Sequence, residues 1–125
     1  MTPSPSVVIV EDDLLIRMLL EQFCVEAGVR VAGMATRAAE AVEKIRAARP
    51  THLVLDYRLA GDRTGLDILE EVRPFLDDVS VIFLTASTES PTLAMLEKAE
   101  PDAILIKPVA KNRFIEALLH SHPRG

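Results

Sequence analysis

Apolar residues fall into two alternating rhythms along this chain. Short β-branched or leucine-rich runs occur at Val7 to Val10, Val29 to Ala35, His52 to Asp56, Val79 to Thr85 and Ala103 to Lys107, and each is followed by a longer stretch with helical spacing. That is five βα units. In the first helical stretch, Leu14 to Ala27, the residues Leu15, Met18, Leu19, Phe23 and Cys24 recur at helical intervals and are expected in the core, with Gly28 as the stop. A second helix over Arg37 to Ala48 is expected to take Thr36 as its cap and to end before Pro50. The third begins near Leu66 and ends by about Arg73, because Pro74 disfavours helical geometry in the residue before it. Ser90 and Pro91 read as the cap and first residue of a short fourth helix whose Leu93 and Leu96 face the core, and Lys111 to His120 form the fifth.

Strands this apolar are buried on both faces, and strict βα alternation gives a parallel sheet with helices on each side. The expected fold is a doubly wound α/β domain with five parallel strands in the flavodoxin-like order 2-1-3-4-5. With 125 residues and no repeat or linker, one domain over 1–125 is expected, with 1–5 and 121–125 as flexible tails and no room for an appended output module.

Composition narrows the function classes. Nineteen acidic against fourteen basic residues give a net charge of −5, which argues against non-specific nucleic-acid binding. Arg37, Lys44, Arg46 and Arg49 alternate with Glu40 and Glu43, as on a solvated helix face. Cys24 is the single cysteine, so it can neither form an internal disulfide nor complete a metal site, and it reads as a small buried hydrophobe in a reducing compartment. The segment Met1 to Ser6 has no basic region, and Val7 to Val10 is too short for a signal peptide or membrane span. A soluble cytoplasmic protein without a membrane partner is expected.

Open α/β sheets bind ligands beyond the carboxyl ends of their strands. Here strand one runs into Glu11, Asp12 and Asp13, strand three ends in Asp56, strand four in Thr85, Ala86 and Ser87, and strand five in Lys107 and Pro108. Taken singly, Asp12 or Asp13 reads equally as a helix N-cap, Thr85 as a turn hydroxyl and Lys107 as a solvated charge. Their convergence on one rim changes that. Clustered carboxylates repel unless a cation or proton compensates, so Glu11, Asp12 and Asp56 suit a hard metal, and magnesium keeps waters that a phosphate can replace. A lysine and a hydroxyl facing an aspartate supply what phosphoryl transfer to a carboxylate needs, and the small Ala86 and Ser87 leave room for the group.

The run Val8 to Asp13, the strand end Leu53 to Asp56, Leu84-Thr85-Ala86 and Lys107-Pro108 together resemble the receiver domain of two-component response regulators, over nearly the whole chain. The resemblance implies a stand-alone phosphorylation-dependent switch or phosphate shuttle. In it Asp56 accepts phosphate from a histidine kinase or histidine phosphotransfer protein. It also implies that Asp12, Asp56 and the main-chain carbonyl of Arg58 bind Mg2+, that Glu11 acts through water, and that Thr85 and Lys107 engage the phosphoryl group. A kinase is expected to dock near the first helix, with the fourth helix, fifth strand and fifth helix presented to a downstream protein; catalysis is confined to Mg2+-dependent self-phosphorylation from a phosphodonor and autodephosphorylation.

Several positions depart from the family. Ala60 stands where proline is common, the loop from Asp56 to Gly65 is one residue longer, Ile104 replaces the usual aromatic, and Val109 replaces the frequent phenylalanine. A flavin carrier is disfavoured by the acidic residues after strand one, and a haloacid-dehalogenase-type phosphatase by Arg58 where its second aspartate would stand. The remaining alternative is a receiver-fold binding module indifferent to phosphate, marked by loss of an acidic, hydroxyl or lysine residue; all are retained here. His52 has no ligand spacing to another His or Cys and reads as structural, while His120 and His122 fall in the polar tail.

Overall fold

The computed structural model describes residues 4–76 and 78–120. Strand β1 (Ser6–Val10) leads into helix α1 (Leu14–Glu26), followed by β2 (Arg30–Ala35), α2 (Ala38–Ala48), β3 (His52–Asp56), α3 (Gly65–Val72), a 3-10 turn (Arg73–Phe75), β4 (Ser80–Thr85), α4 (Ser90–Glu97), β5 (Ala103–Ile106) and α5 (Lys111–His120). The strands form one sheet in the order β2-β1-β3-β4-β5, and every pairing is parallel. The expected tails lie outside the described residues except for Ser4 and Pro5, which are exposed; His122 also lies outside them.

Alternation along the strands builds two cores. Val8, Val10, Leu53, Leu55, Val81 and Phe83 point to the side covered by α2, α3 and α4, while Val7, Ile9, Val54, Ile82 and Leu84 point to the side covered by α1 and α5. Successive strand residues face opposite ways, so burial on both faces demands the continuous apolar runs seen in β1, β3 and β4. The edge strands differ: β2 and β5 are only partly buried. Phe23 of α1 and Phe114 of α5 meet at 6.0 Å between ring centroids and tie those helices together.

Helix ends follow local chemistry, with corrections to the sequence reading. Asp13, not Asp12, caps α1, accepting from the Ile16 amide at 3.1 Å. Thr36 does not cap α2; Arg37 occupies that position without a side-chain bond, and the Thr36 amide instead donates to Glu40 Oε1 at 2.9 Å. Thr64 and Asp67 form a capping box on α3. In α4 the cap is Glu89, one residue earlier than expected, and Ser90 and Pro91 open the helix.

The largest correction concerns α1. Leu20, Phe23 and Cys24 are buried, but Leu15, Met18 and Leu19 are 77%, 56% and 50% exposed, so that stripe is surface and not core. On α4, Leu96 is fully buried and Leu93 half-buried. The basic face of α2 is exposed yet engaged: Arg46 lies over the Phe75 ring at 4.6 Å and Lys44 donates to the Met34 carbonyl at 2.6 Å. No helix among the described residues is long and apolar enough to cross a membrane.

Candidate functional site

Backbone hydrogen bonds continue past the strand ends and set the rim. The Glu11 amide donates to Ala35 O at 3.0 Å, Tyr57 to Leu84 O at 2.8 Å and Lys107 to Thr85 O at 2.8 Å. These bonds hold the polar residues leaving β1, β3, β4 and β5 around one cleft of about 300 Å³, lined by Glu11, Asp12, Asp56, Arg58, Thr85 and Lys107 among others. All six residues singled out from the sequence therefore share one site.

Lys107 is its electrostatic centre. The ammonium donates to Asp56 Oδ2 at 3.0 Å and lies 2.7 Å from Glu11 Oε1. The second contact is an ion pair without the alignment of a hydrogen bond, which leaves the fully buried Glu11 Oε1 with no hydrogen-bond partner among the described residues. The other Glu11 oxygen, Oε2, accepts from the Asp13 amide at 3.1 Å. Burial alone would lower the Lys107 pKa, but the Glu11 and Asp56 carboxylates outweigh it and hold the ammonium above its ordinary value.

The carboxylates are short of positive charge. Burial pushes Glu11 above the usual carboxyl range and neighbouring Asp56 adds to the rise, although Lys107 opposes both. Asp12, nearer solvent, is raised by partial desolvation and by Glu11. One oxygen from each of Glu11, Asp12 and Asp56 lies within 4.8 Å of the others. An oxygen-only donor set, a buried Glu11 oxygen that has an ion pair but no hydrogen bond among the described residues, and the raised Glu11 and Asp12 carboxyls together fit a hard divalent cation.

The remaining residues frame the cleft. Thr85 is buried, and its Oγ1 accepts from the Ser87 amide at 3.0 Å. Arg58 is exposed, with its guanidinium 5.9 Å from the Tyr57 ring centroid. His52, at the opposite end of β3, is buried and structural, bonded to Thr51 and to the Leu118 carbonyl. Two residues that the sequence reading did not single out shape the site. Gly65 packs against the Asp56 backbone, and Arg17 donates to the Glu11 carbonyl at 2.9 Å.

The profile of the response regulator receiver domain matches residues 7–119. The chain belongs to that family. It is 30% identical over 112 residues to the chemotaxis protein CheY of Thermotoga maritima, covering 90% of this chain and 92% of that protein. It is 32% identical over 117 residues to the acid tolerance regulatory protein ActR of Sinorhizobium medicae, covering 94% of this chain but only 59% of ActR. Among solved structures, the signal receiver domain of a modulated diguanylate cyclase from Desulfovibrio desulfuricans superposes with a TM-score of 0.84 at 26% identity, covering 95% of this chain and 94% of that one. Receiver domains are signalling switches and not enzymes of the ordinary kind, they bind Mg2+ at an acidic pocket, and they interact with histidine kinases and downstream targets. In this receiver domain the acidic pocket is the cluster of Glu11, Asp12 and Asp56.

Proposed function

We propose that this receiver domain is a phosphorylation-activated switch in a two-component relay, taking a phosphoryl group onto Asp56 from a histidine kinase or histidine phosphotransfer protein. The observation that carries this reading is the placement of Asp56: nearly buried in the cleft, 3.0 Å from the Lys107 ammonium and inside a carboxylate cluster. A carboxylate oxygen of Asp56 attacks the phosphorus. A P–O bond forms as the P–N bond of the donor breaks, and the imidazole leaves with the electron pair and takes up a proton from solvent. Lys107 offsets charge on the transferred group, and the Thr85 hydroxyl turns to donate to one of its oxygens. Glu11, Asp12, Asp56 and the main-chain carbonyl of Arg58 are the groups that would hold Mg2+, which when bound supplies further positive charge to the phosphoryl oxygens.

The exposed stripe of α1 suits the donor protein. Leu15, Met18 and Leu19 lie on the helix that starts just after Asp12, so an apolar surface packed there sits beside the cleft. Met95 on α4 and Ile106 on β5 are each 38% exposed and suit a downstream protein target. The test is incubation with Mg2+ and acetyl phosphate, read by intact mass. The wild-type chain should gain one phosphoryl group, and should gain none without Mg2+ or as Asp56→Asn. Phosphate on the Asn variant, or mapped to another residue, overturns the reading.

A further inference from the structure

The turn after β1 carries both Glu11 and Asp12, and its polar groups are tied to their surroundings. The Glu11 amide bonds to β2 through Ala35 O, the Glu11 carboxylate accepts from the Asp13 amide, and the Asp13 carboxylate caps α1 through the Ile16 amide. The Glu11 main-chain carbonyl, just past the end of β1, is held by a side chain. Its partner is Arg17 in the first turn of α1, whose own amide bonds to Asp13 O at 2.9 Å and whose Nη1 reaches back to Glu11 O at 2.9 Å. Arg17 is half-buried, and its directed partner is a carbonyl and not a carboxylate.

This contact bears on one peptide. The direction of the Glu11 carbonyl is set by the ψ angle of Glu11, which also sets the course on which the chain leaves β1 and carries Asp12, and that carbonyl oxygen is the atom Arg17 grips. A charge-assisted bond from a planar guanidinium constrains direction as well as distance. We propose that Arg17 is a positioning residue for the cation site: it fixes the Glu11 carbonyl, and with it the course of the turn that brings Asp12 beside Glu11 and Asp56. The inference rests on the reading above that the cluster holds Mg2+ for phosphoryl transfer, and it adds a residue of α1 that touches neither cation nor phosphate.

The test is an Mg2+ titration of the full chain followed by Tyr57 fluorescence. Tyr57 is the sole tyrosine, adjoins Asp56, and has no tryptophan to mask it. Arg17→Met should raise the half-saturating Mg2+ concentration by about ten-fold, the usual size for losing a group that orients a metal ligand. Arg17→Lys, which keeps a cationic donor, should recover most of that loss. Arg17→Gln provides the same comparison should the Met variant fail to fold. Melting temperatures without Mg2+ separate positioning from a merely structural role. A variant that melts lower yet binds Mg2+ like wild type overturns the proposal, as does a Lys variant no better than Met or Gln. A wild-type chain with no Mg2+ response overturns the cation reading itself, whereas a wild-type response unchanged in the Met or Gln variant overturns only the assignment of Arg17.

Discussion

Gly65 stands so close to Asp56 that a Cβ built on it would lie 2.3 Å from the Asp56 main-chain oxygen. The obstacle is backbone, at the residue proposed to take the phosphate, so it cannot step aside without moving the site. Gly65→Ala should therefore cost about 1–3 kcal/mol of stability, the usual penalty for overpacking, and weaken Mg2+ binding with it. Gly33→Ala is the control, because its new methyl meets Lys44 methylenes at 3.6 Å, an ordinary contact. Urea denaturation of both variants checks this; equal midpoints would show that the Asp56 backbone yields freely.

Two neighbouring aspartates should respond to alanine with opposite signs. Asp13 caps α1, so Asp13→Ala should destabilise the protein by about 1 kcal/mol. Asp12 is exposed and adds to the repulsion around Glu11, so Asp12→Ala should stabilise the metal-free protein, by less than about 1 kcal/mol because water screens it, while weakening Mg2+ binding. Thermal melts with and without Mg2+ measure both effects, and a lower metal-free melting temperature for Asp12→Ala would contradict the repulsion argument.

His52 should make stability fall in mild acid. Burial lowers its folded pKa, although its bonds to the Leu118 carbonyl and the charge of Asp102 pull the other way. In the unfolded chain the imidazole titrates near ~6.5. Below that value the unfolded state binds the proton more readily, so the stability present above about pH 6.5 is lost as pH falls through the lowered folded value. His52→Gln removes this proton while keeping a donor for Leu118. The difference in unfolding free energy between wild type and variant should shrink from pH 7 toward pH 5, and a constant difference would exclude His52 as the source.

The Thr85 hydroxyl leads toward α4 through a short relay. Thr85 Oγ1 accepts from the Ser87 amide at 3.0 Å, and Ser87 Oγ accepts from the Glu89 amide at 3.1 Å, one residue before the helix. A phosphoryl group that draws Thr85 away would loosen Ser87 and then the cap. Ile104, half-buried against the core on the α2, α3 and α4 side, has no large ring to swing and only repacks. Beryllofluoride with Mg2+ should shift the backbone resonances from Ser87 to Leu96, and changes confined to the Asp56 pocket would sink this route.

The strands and the rim that carries the candidate site were legible because both follow from local pattern, whereas the strand order came from the flavodoxin-like arrangement expected of a doubly wound βα chain. Runs of apolar residues placed the strands, and the polar residues that end them had nowhere to go but the carboxyl rim. The surface of α1 was not legible. Helical spacing says that Leu15, Met18 and Leu19 share a face, but not that Leu20, Phe23 and Cys24 would take the sheet and leave them in water. Arg17 carries no pattern at all, since its role depends on a carbonyl six residues back. Gly65 offered a faint signal, a glycine closing a polar loop, with nothing to show whose backbone it would meet. Thr36 failed as a cap because α2 starts one residue later than expected, at Ala38, which puts Arg37 at the cap position and leaves Thr36 one residue outside it.

The buried thiol of Cys24 gives the molecule a built-in clock. Packing beneath α1 pushes its pKa up to about 12, so in the folded state it is neither exposed nor ionised and cannot attack a disulfide reagent. Reaction must wait until α1 lifts from the sheet, and with a single cysteine every modified molecule records one such opening. Whatever binds the closed form alone, cation or partner, slows that clock by the factor it adds to the closed population.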